Sequence, residues 1–182
     1  MRLETERLVL RELTNDDFAA WYAILSDAET MKHYPAPFDE EKVRQWLEWN
    51  LENYQNYGFG LWAVILKEEN RLIGDCGMAM QCVHGKMLPE IGYHIHRGYQ
   101  RRGYAAEAVR AVLEAAFAAG THRVYAECDP RNICSWGLLE HLGFAREALL
   151  RQNIFFRRDE AGCPIWQDTY VYGLLKGEKY DR

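Results

Sequence analysis

The sequence lacks any apolar run long enough to cross a membrane. Its longest apolar runs, such as Leu61–Leu66, fall far short of the roughly 20 residues that a membrane-spanning helix needs. The first seven residues, Met1–Arg7, are also too rich in charge for a secretory signal peptide. We therefore expect a cytoplasmic protein that has no membrane partner.

Cysteine pairs with the spacing of metal or redox centres are missing as well. The five cysteines are scattered, and no two of them are separated by two residues. His94 and His96 alternate on a predicted strand without a cysteine or acidic residue at ligand spacing. Zinc sites and thiol–disulfide centres need such clusters. We therefore expect free thiols in a reducing compartment and no bound metal.

Positive charge is in short supply. The 22 lysines and arginines are outnumbered by 27 aspartates and glutamates, which gives a net charge of −5 at pH 7. This balance disfavours the large basic face that nucleic-acid-binding proteins use, so we expect no nucleic-acid partner. The acidic surplus is compatible with cationic partners.

The remaining composition is typical of one globular domain. The chain has 182 residues, of which 48% are hydrophobic and 27% are charged, so it can bury a substantial core without help. Neither an internal repeat nor a Gly/Ser/Pro-rich linker divides the sequence. We therefore predict a single domain over residues 1–182.

Hydrophobic periodicity predicts both strands and helices. The predicted strands are Arg7–Arg11, Leu61–Leu66, Arg71–Met78, Glu90–His96, Val124–Cys128, Ala148–Phe156 and Thr169–Leu174. The predicted helices run from Thr14 to Leu25, from Asp39 to Gly58, from Arg101 to Ala119 and from Asn132 to His141. An antiparallel start followed by a strand–helix–strand unit predicts a mixed α/β sheet.

The segment most informative about function is the loop before the third predicted helix. It contains Gln100, Arg101, Arg102 and Gly103, and it joins the end of a strand to the start of a helix. The first turn of a helix presents unpaired N–H groups and the positive end of the helix dipole, which together suit a phosphate. The dinucleotide fingerprint and the P-loop motif are absent. The segment by itself indicates either an anion site or a basic helix start.

The same segment resembles a motif of the GNAT superfamily of N-acetyltransferases. Gln100-x-x-Gly103-x-Ala105 is similar to the Gln/Arg-x-x-Gly-x-Gly/Ala motif of that superfamily. Further segments that are similar to its RimJ/RimL-like branch are Leu3–Arg11, Glu90–Tyr93, Gly103–Ala108 and Asn132–Phe144. The resemblance covers nearly the whole chain, and it implies a mostly antiparallel central sheet flanked by helices.

The resemblance also implies that acetyl-CoA is the co-substrate. In the family, the loop holds the pyrophosphate through backbone N–H groups, and the preceding strand hydrogen-bonds the pantetheine arm. The implied contacts with the arm are the backbones of Tyr93 and Ile95, together with Asn132. The implied phosphate contacts are Gln100, Arg101, Arg102, Gly103, Tyr104 and Ala105.

The family mechanism needs no protein nucleophile, because the acceptor amine attacks the thioester directly. The absence of a Ser-His-Asp pattern agrees with this mechanism. A base must take a proton from the acceptor ammonium, and Glu90 is the predicted base. Glu127, His94 and ordered water stay open as alternatives.

The predicted acid is Ser135, which would protonate the departing thiolate. Many family members have a tyrosine four residues before the glycine of a Gly-Phe pair, where this sequence has Leu139. The RimJ/RimL-like branch has a serine at the position of Ser135 instead. The alternative role for Ser135 is local, because Asn132 is a good N-cap and the serine would then merely satisfy the helix end.

The identity of the acceptor stays open. The resemblance implies a protein N-terminal amine or a small-molecule amine, and we expect Tyr34, Pro35 and Phe38 to contact it in the break between the first two helices. The rival function is a catalytically silent acyl-CoA-binding module with a regulatory or scaffolding role. The sequence also leaves open whether the chain forms a homodimer.

Overall fold

The computed structural model describes residues 2–83 and 85–178, and within them eight strands form one sheet. In chain order the strands are β1 (Arg2–Glu4), β2 (Leu8–Glu12), β3 (Leu61–Leu66), β4 (Arg71–Val83), β5 (Lys86–Ile95), β6 (Arg123–Cys128), β7 (Ala145–Arg158) and β8 (Pro164–Leu175). Their spatial order is β1-β2-β3-β4-β5-β6-β8-β7. Neighbouring strands are antiparallel except β5 and β6, which are parallel.

The α-helices begin and end at residues suited to their termini. In chain order they are α1 (Phe18–Leu25), α2 (Glu40–Tyr57), α3 (Tyr104–Ala118) and α4 (Ile133–His141). The Asp39 carboxylate accepts the N–H of Lys42 at 2.8 Å at the start of α2, and Gly58 ends this helix with a φ of 76°. An aspartate N-cap and a left-handed glycine stabilise helix ends, which explains why the sequence predicted α2 well.

Helices cover both faces of the sheet. On β3, Trp62 and Val64 belong to one buried cluster and Ala63 belongs to the other, as the two-residue period of a strand requires. The first cluster packs the apolar stripe of α3 against the sheet, and the second packs α1 and α2 against the opposite face. The central strands are therefore held between two apolar layers.

The parallel strands β5 and β6 separate soon after they pair. The ladder described between them consists of the pair Glu90↔Tyr125. By contrast, β4 and β5 stay in register from Val83↔Lys86 to Gly74↔Ile95. Beyond Glu90, the side of β5 that would face β6 borders a gap, so backbone polar groups there are free of the sheet ladder.

The predicted mixed sheet is confirmed, but some bounds differ. α3 begins at Tyr104 and not at Arg101, because Arg101 and Gly103 have φ values of 60° and 83°, which a right-handed helix does not contain. The short strand β1 was not predicted, and its pairing with β2 stabilises it. The strands of the β4–β5 and β7–β8 hairpins are longer than predicted. Among the described helices, none is both long and apolar enough to cross a membrane.

Candidate active site

A cavity of about 880 Å³ opens where β5 and β6 separate. Residues 90–95 of β5, the loop after β5, the first turn of α3 and the start of α4 form much of its wall. Residues 29–35, between α1 and α2, and parts of β7 and β8 complete it. A concave site with a few converging polar groups is typical of small-molecule binding.

The loop after β5 presents the N-terminus of α3 to this cavity. Its left-handed residues Arg101 and Gly103 turn the chain directly into the helix. The Gln100 side chain donates from Nε2 to the carbonyl of Ile95 at 2.8 Å, which ties the loop to the end of β5. Gln100, Arg101, Gly103 and Ala105 all line the cavity, so the unpaired N–H groups of the first helical turn lie at its wall.

Arg7, which the sequence did not single out, braces this loop. Its Nε donates to Glu107 Oε2 at 2.6 Å, and its Nη1 donates to the carbonyl of Arg102 at 3.0 Å. The guanidinium also lies 4.5 Å from the ring centre of Tyr104. The Tyr104 side chain is buried in the core, and the Arg102 guanidinium lies over Tyr99. The buried Tyr104 side chain therefore faces the core, and only its backbone is available for the predicted phosphate contact.

Ser135 and Tyr93 place two hydroxyl groups on the cavity wall. Asn132 caps α4, since its Oδ1 accepts the N–H of Ser135 at 3.2 Å. The Ser135 hydroxyl is directed elsewhere, and its Oγ lies 3.0 Å from the Tyr93 hydroxyl oxygen. Burial raises the pKa of Tyr93, so this phenol stays protonated. The Asn132 Oδ1 thus caps the helix, and the serine hydroxyl contacts the tyrosine.

Glu90 lies at the point where β5 and β6 separate. Burial, followed by the negative charge of Glu127, raises the pKa of Glu90 to about 7, although the backbone N–H of Glu127 donates to it. The Glu127 carboxylate itself is exposed and accepts a hydrogen bond from the Tyr125 hydroxyl. Both carboxyl groups line the main cavity and a second cavity of about 270 Å³ beside it. A carboxyl group with a pKa near 7 suits a general base at neutral pH.

His94 belongs to a hydrogen-bonded chain that the sequence did not reveal. Its Nδ1 lies 2.8 Å from Asp75 Oδ1, and its Nε2 lies 2.7 Å from the Tyr34 hydroxyl. The second oxygen of Asp75 accepts from Trp21 Nε1 at 2.7 Å. Asp75 is 0% exposed and His94 is 7% exposed, while His94 and Tyr34 line the cavity. The chain therefore leads from a buried carboxylate to the cavity wall.

The structure brings most of the predicted site residues together. Those on the cavity wall are Glu90, Tyr93, Ile95, Gln100, Arg101, Gly103, Ala105, Asn132 and Ser135. Of the predicted acceptor contacts, Tyr34 and Pro35 line the cavity, while Phe38 packs edge-on against Trp46 with ring centres 4.9 Å apart. Asp75 had one signal in the sequence, because it is a charged residue inside an apolar strand.

Cys76 and Cys128, the two cysteines with raised pKa values, are poor nucleophiles at neutral pH. All five are free thiols. Burial raises the pKa of Cys128 to about 11 and that of Cys76 well above its ordinary value, so neither is a thiolate at neutral pH. Among the described residues, no group of three or more His, Cys, Asp or Glu side chains is placed to hold a metal ion.

The cavity has two features that fit acetyl-CoA. The N-terminal turn of α3, reached through Gly103 with its φ of 83°, suits a pyrophosphate. The free edge of β5 from Glu90 to Ile95 suits an arm that carries amide groups, because its backbone polar groups need partners. Both features border the same cavity.

Comparisons with known proteins agree with this geometry. Residues 7–145 match the family model described as the acetyltransferase (GNAT) domain. The chain is 33% identical over 181 residues to the "Uncharacterized N-acetyltransferase YnaD" of Bacillus subtilis (strain 168), and the match covers 98% of this chain and 99% of that protein. A crystal structure of a GNAT-family acetyltransferase from Bacillus anthracis matches with a TM-score of 0.79 at 32% identity, over 98% of this chain and 100% of that one.

A more distant structure shares the fold alone. It is a Salmonella typhimurium acetyl transferase described as modifying the N-terminal serine of 50S ribosomal subunit protein L7/L12, with a TM-score of 0.80 at 16% identity over 96% of this chain and 99% of that one. The family model, by contrast, spans β5, the loop after it and Ser135. The chain belongs to the GNAT family and is an acetyl-CoA-dependent N-acetyltransferase.

Proposed function

We propose that the chain transfers the acetyl group of acetyl-CoA to an acceptor amine by direct attack in a ternary complex. The observation that carries the proposal is one cavity bordered by the N-terminus of α3, the Ser135–Tyr93 hydroxyl pair and the Glu90 carboxyl group. Acetyl-CoA supplies an acetyl thioester that is already activated toward amines. The chain then has to bind, orient and move protons.

The binding role falls to β5, the loop after it and the start of α3. Alternate residues of a strand direct their N–H and C=O groups to the same side, so the Tyr93 backbone shares its side with Ile95. The Ile95 carbonyl is already occupied by Gln100 Nε2, which makes Gln100 a brace of the loop. In the proposal, the Tyr93 and Ile95 backbones and Asn132 hold the arm, and the N–H groups of residues 100–105 hold the phosphates.

The proton transfers are assigned to Glu90 and Ser135. Glu90 takes a proton from the acceptor ammonium, and its raised pKa of about 7 lets it alternate between both protonation states near neutral pH. Ser135 donates a hydrogen bond to the departing sulfur. The Tyr93 phenol, 3.0 Å away, stays protonated and holds the serine hydroxyl in place, and solvent in the cavity returns the serine proton.

Two classes of acceptor are retained in the proposal. One is a protein N-terminal amine, the acceptor named for the distant Salmonella relative. The other is a small-molecule amine, which fits a cavity of about 880 Å³. The carboxyl groups of Glu90 and Glu127 at the wall favour a cation of either class.

The free thiols indicate the compartment in which the protein works. Five free thiols are typical of a protein kept in a reducing compartment. We therefore propose that it works in the cytoplasm.

Thiol release from acetyl-CoA, measured with a panel of small amines and N-terminal peptides, tests the proposed function. We expect thiol release that requires an acceptor of one class and that saturates as the concentration of this acceptor rises. Tight CoA binding by calorimetry without acceptor-dependent release would instead support the silent acyl-CoA-binding module. Mass spectrometry of the acetylated product would show which amine has reacted.

A further inference from the structure

We propose that Tyr34 binds the acceptor amine, and that Asp75 and His94 are positioning residues that hold the Tyr34 hydroxyl as a hydrogen-bond acceptor. This inference rests on the proposed function and names how its acceptor is recognised. The three residues come from three separate parts of the chain: the segment between α1 and α2, β4 and β5. They are joined by two hydrogen bonds of 2.8 and 2.7 Å.

The direction of these hydrogen bonds follows from the buried carboxylate. An ionised carboxylate only accepts, so the His94 nitrogen facing Asp75, Nδ1, carries the proton. In a neutral imidazole the other nitrogen, Nε2, is then an acceptor. In the proposed arrangement the Tyr34 hydroxyl, 2.7 Å from Nε2, donates its proton to His94. Its oxygen lone pairs remain for a ligand in the cavity.

The surroundings hold this arrangement in place. Asp75 and His94 are opposite each other in the β4–β5 register, and Trp21 Nε1 occupies the second Asp75 oxygen at 2.7 Å. The Trp46 ring lies 5.6 Å from the His94 ring. With Asp75 0% exposed, water does not compete for the carboxylate, and a second orientation of the imidazole would leave a buried polar group unpaired.

Tyr34 acts as a neutral phenol. Burial raises the pKa of Tyr34, and the charges of Asp75 and Glu90 and the Tyr93 hydroxyl act in the same direction. It therefore does not become a phenolate base, and it contributes the lone pairs of its oxygen. A group that binds there must be a hydrogen-bond donor, and the nearby carboxyl group of Glu90 favours a positively charged one.

This polarity selects amines over hydroxyl acceptors. An ammonium group has three N–H bonds: one proton passes to Glu90, and another N–H can still donate to the Tyr34 oxygen while the nitrogen lone pair attacks. The C–N bond then forms as the C–S bond breaks, and Ser135 gives its proton to the sulfur. The nitrogen loses its second proton to solvent in the cavity as it becomes an amide, and solvent returns a proton to Ser135. A hydroxyl acceptor has one proton, and after losing it to the base it has no donor left for Tyr34.

Steady-state kinetics of Tyr34→Phe at pH 8 test the inference. We expect the KM for the amine to rise about tenfold or more, as for a lost hydrogen bond to a charged group, with kcat within about threefold and CoA affinity unchanged. The matched control is Tyr57→Phe, since Tyr57 is exposed at the end of α2, and its KM should equal that of the wild type. An unchanged KM in Tyr34→Phe would overturn the inference while leaving the proposed function intact.

Asp75→Asn reverses the polarity of the chain of hydrogen bonds. The asparagine can still accept from Trp21, but its amide N–H would donate to His94 Nδ1 and move the imidazole proton to Nε2. The Tyr34 oxygen would then accept from His94, and its O–H would face the ammonium. We expect the KM to rise at least as far as in Tyr34→Phe.

Nitrogen-15 NMR of His94 shows which imidazole nitrogen carries the proton, and it needs no activity assay. The wild type should show the Nδ1–H tautomer, and so should Tyr34→Phe, whereas Asp75→Asn should show the Nε2–H tautomer. An Nε2–H tautomer in the wild type would overturn the inference even if Asp75→Asn does not fold. Wild-type protein that releases no thiol with any amine would overturn the proposed function and this inference with it.

Discussion

The Tyr93 hydroxyl joins β5 to α4 across the cavity, with its oxygen 3.0 Å from Ser135 Oγ. The same hydroxyl lies 3.2 Å from the Ser135 carbonyl oxygen. Ser135 is thereby fixed at the cavity wall while Asn132 caps the helix. The serine hydroxyl therefore does not cap the helix, as the role proposed for it requires.

We predict that Ser135→Ala lowers kcat more than it lowers CoA affinity. The variant removes the hydroxyl that is proposed to contact the departing sulfur but keeps the Asn132 cap, so kcat should fall by about tenfold to a hundredfold, while the dissociation constant for CoA stays within about threefold. Thiol release and calorimetry measure the two quantities. Ser26→Ala, at the end of α1, is the control. If both quantities in Ser135→Ala match the wild type, the proposed role of Ser135 is wrong.

Glu90→Gln should remove the alkaline rise of the pH–rate profile. With a pKa raised to about 7 by burial and by Glu127, wild-type kcat/KM should rise as the pH passes through about 7 and level off above it, because the ionised carboxyl is the active form. Glu127→Gln removes one of the groups that raise this pKa, so the rise should move to lower pH and persist. The proposed base is wrong if Glu90→Gln keeps the wild-type profile.

The features that were predicted from the sequence are those determined by residues close together along the chain. The loop of residues 100–105, the cap at Asn132 and the helix α2 each follow from short segments with a local physical cause. The left-handed φ of 60° at Arg101 was not predictable in this way, because arginine does not favour it. It shifted the start of α3 to Tyr104.

The contacts that organise the site are long-range. His94 and Asp75 are 19 positions apart, Tyr34 and His94 are 60 apart, and Arg7 and Glu107 are 100 apart. A periodicity argument assigns each residue to a face of its own element, but the register between strands decides which residues meet. The sequence therefore predicted His94 and Tyr34 as separate candidates and did not predict Asp75 as their partner.

Gly103→Val should weaken CoA binding by about tenfold or more. At φ 83° a β-branched residue is strained, and a Cβ atom at this position would lie 3.3 Å from Arg7 Nη2, so the turn into α3 would shift and move the N–H groups of the first helical turn. Gly120→Val at the other end of α3 is the matched control, since it has a φ of 98° with no atom within 4 Å of the added Cβ. Both variants should lose about 1–2 kcal/mol of stability.

Calorimetry with CoA separates the two glycine variants. Gly120→Val should bind CoA like the wild type despite its lower melting temperature. An equal loss of affinity in both variants would mean that the effect is general destabilisation. Wild-type affinity in Gly103→Val would remove the loop from the proposed cofactor site.

Arg7→Ala should loosen the loop of residues 100–105, because Arg7 holds the Arg102 carbonyl. The Glu107 carboxylate accepts from Thr5 Oγ1 at 2.5 Å and from the Arg7 backbone N–H at 2.8 Å as well as from the guanidinium. Although burial opposes ionisation, these hydrogen bonds hold the pKa of Glu107 below its ordinary value of 4.5. A lowered folded-state pKa adds stability above the ordinary pKa, and this stability is lost as the pH falls through the lowered value.

We therefore expect Arg7→Ala to lower the melting temperature at pH 7 by about 2–4 °C, the effect of about 1 kcal/mol in a chain of this size. The difference from the wild type should shrink at pH values below the folded-state pKa of Glu107, because the protonated carboxyl no longer pairs with the guanidinium. Arg2→Ala removes an exposed pair with Glu4 and should change the melting temperature by less than about 1 °C.

CoA affinity should fall in Arg7→Ala and not in Arg2→Ala, since Arg7 also holds the Arg102 carbonyl at 3.0 Å. Equal affinities in the two variants would show that the loop keeps its conformation without this brace.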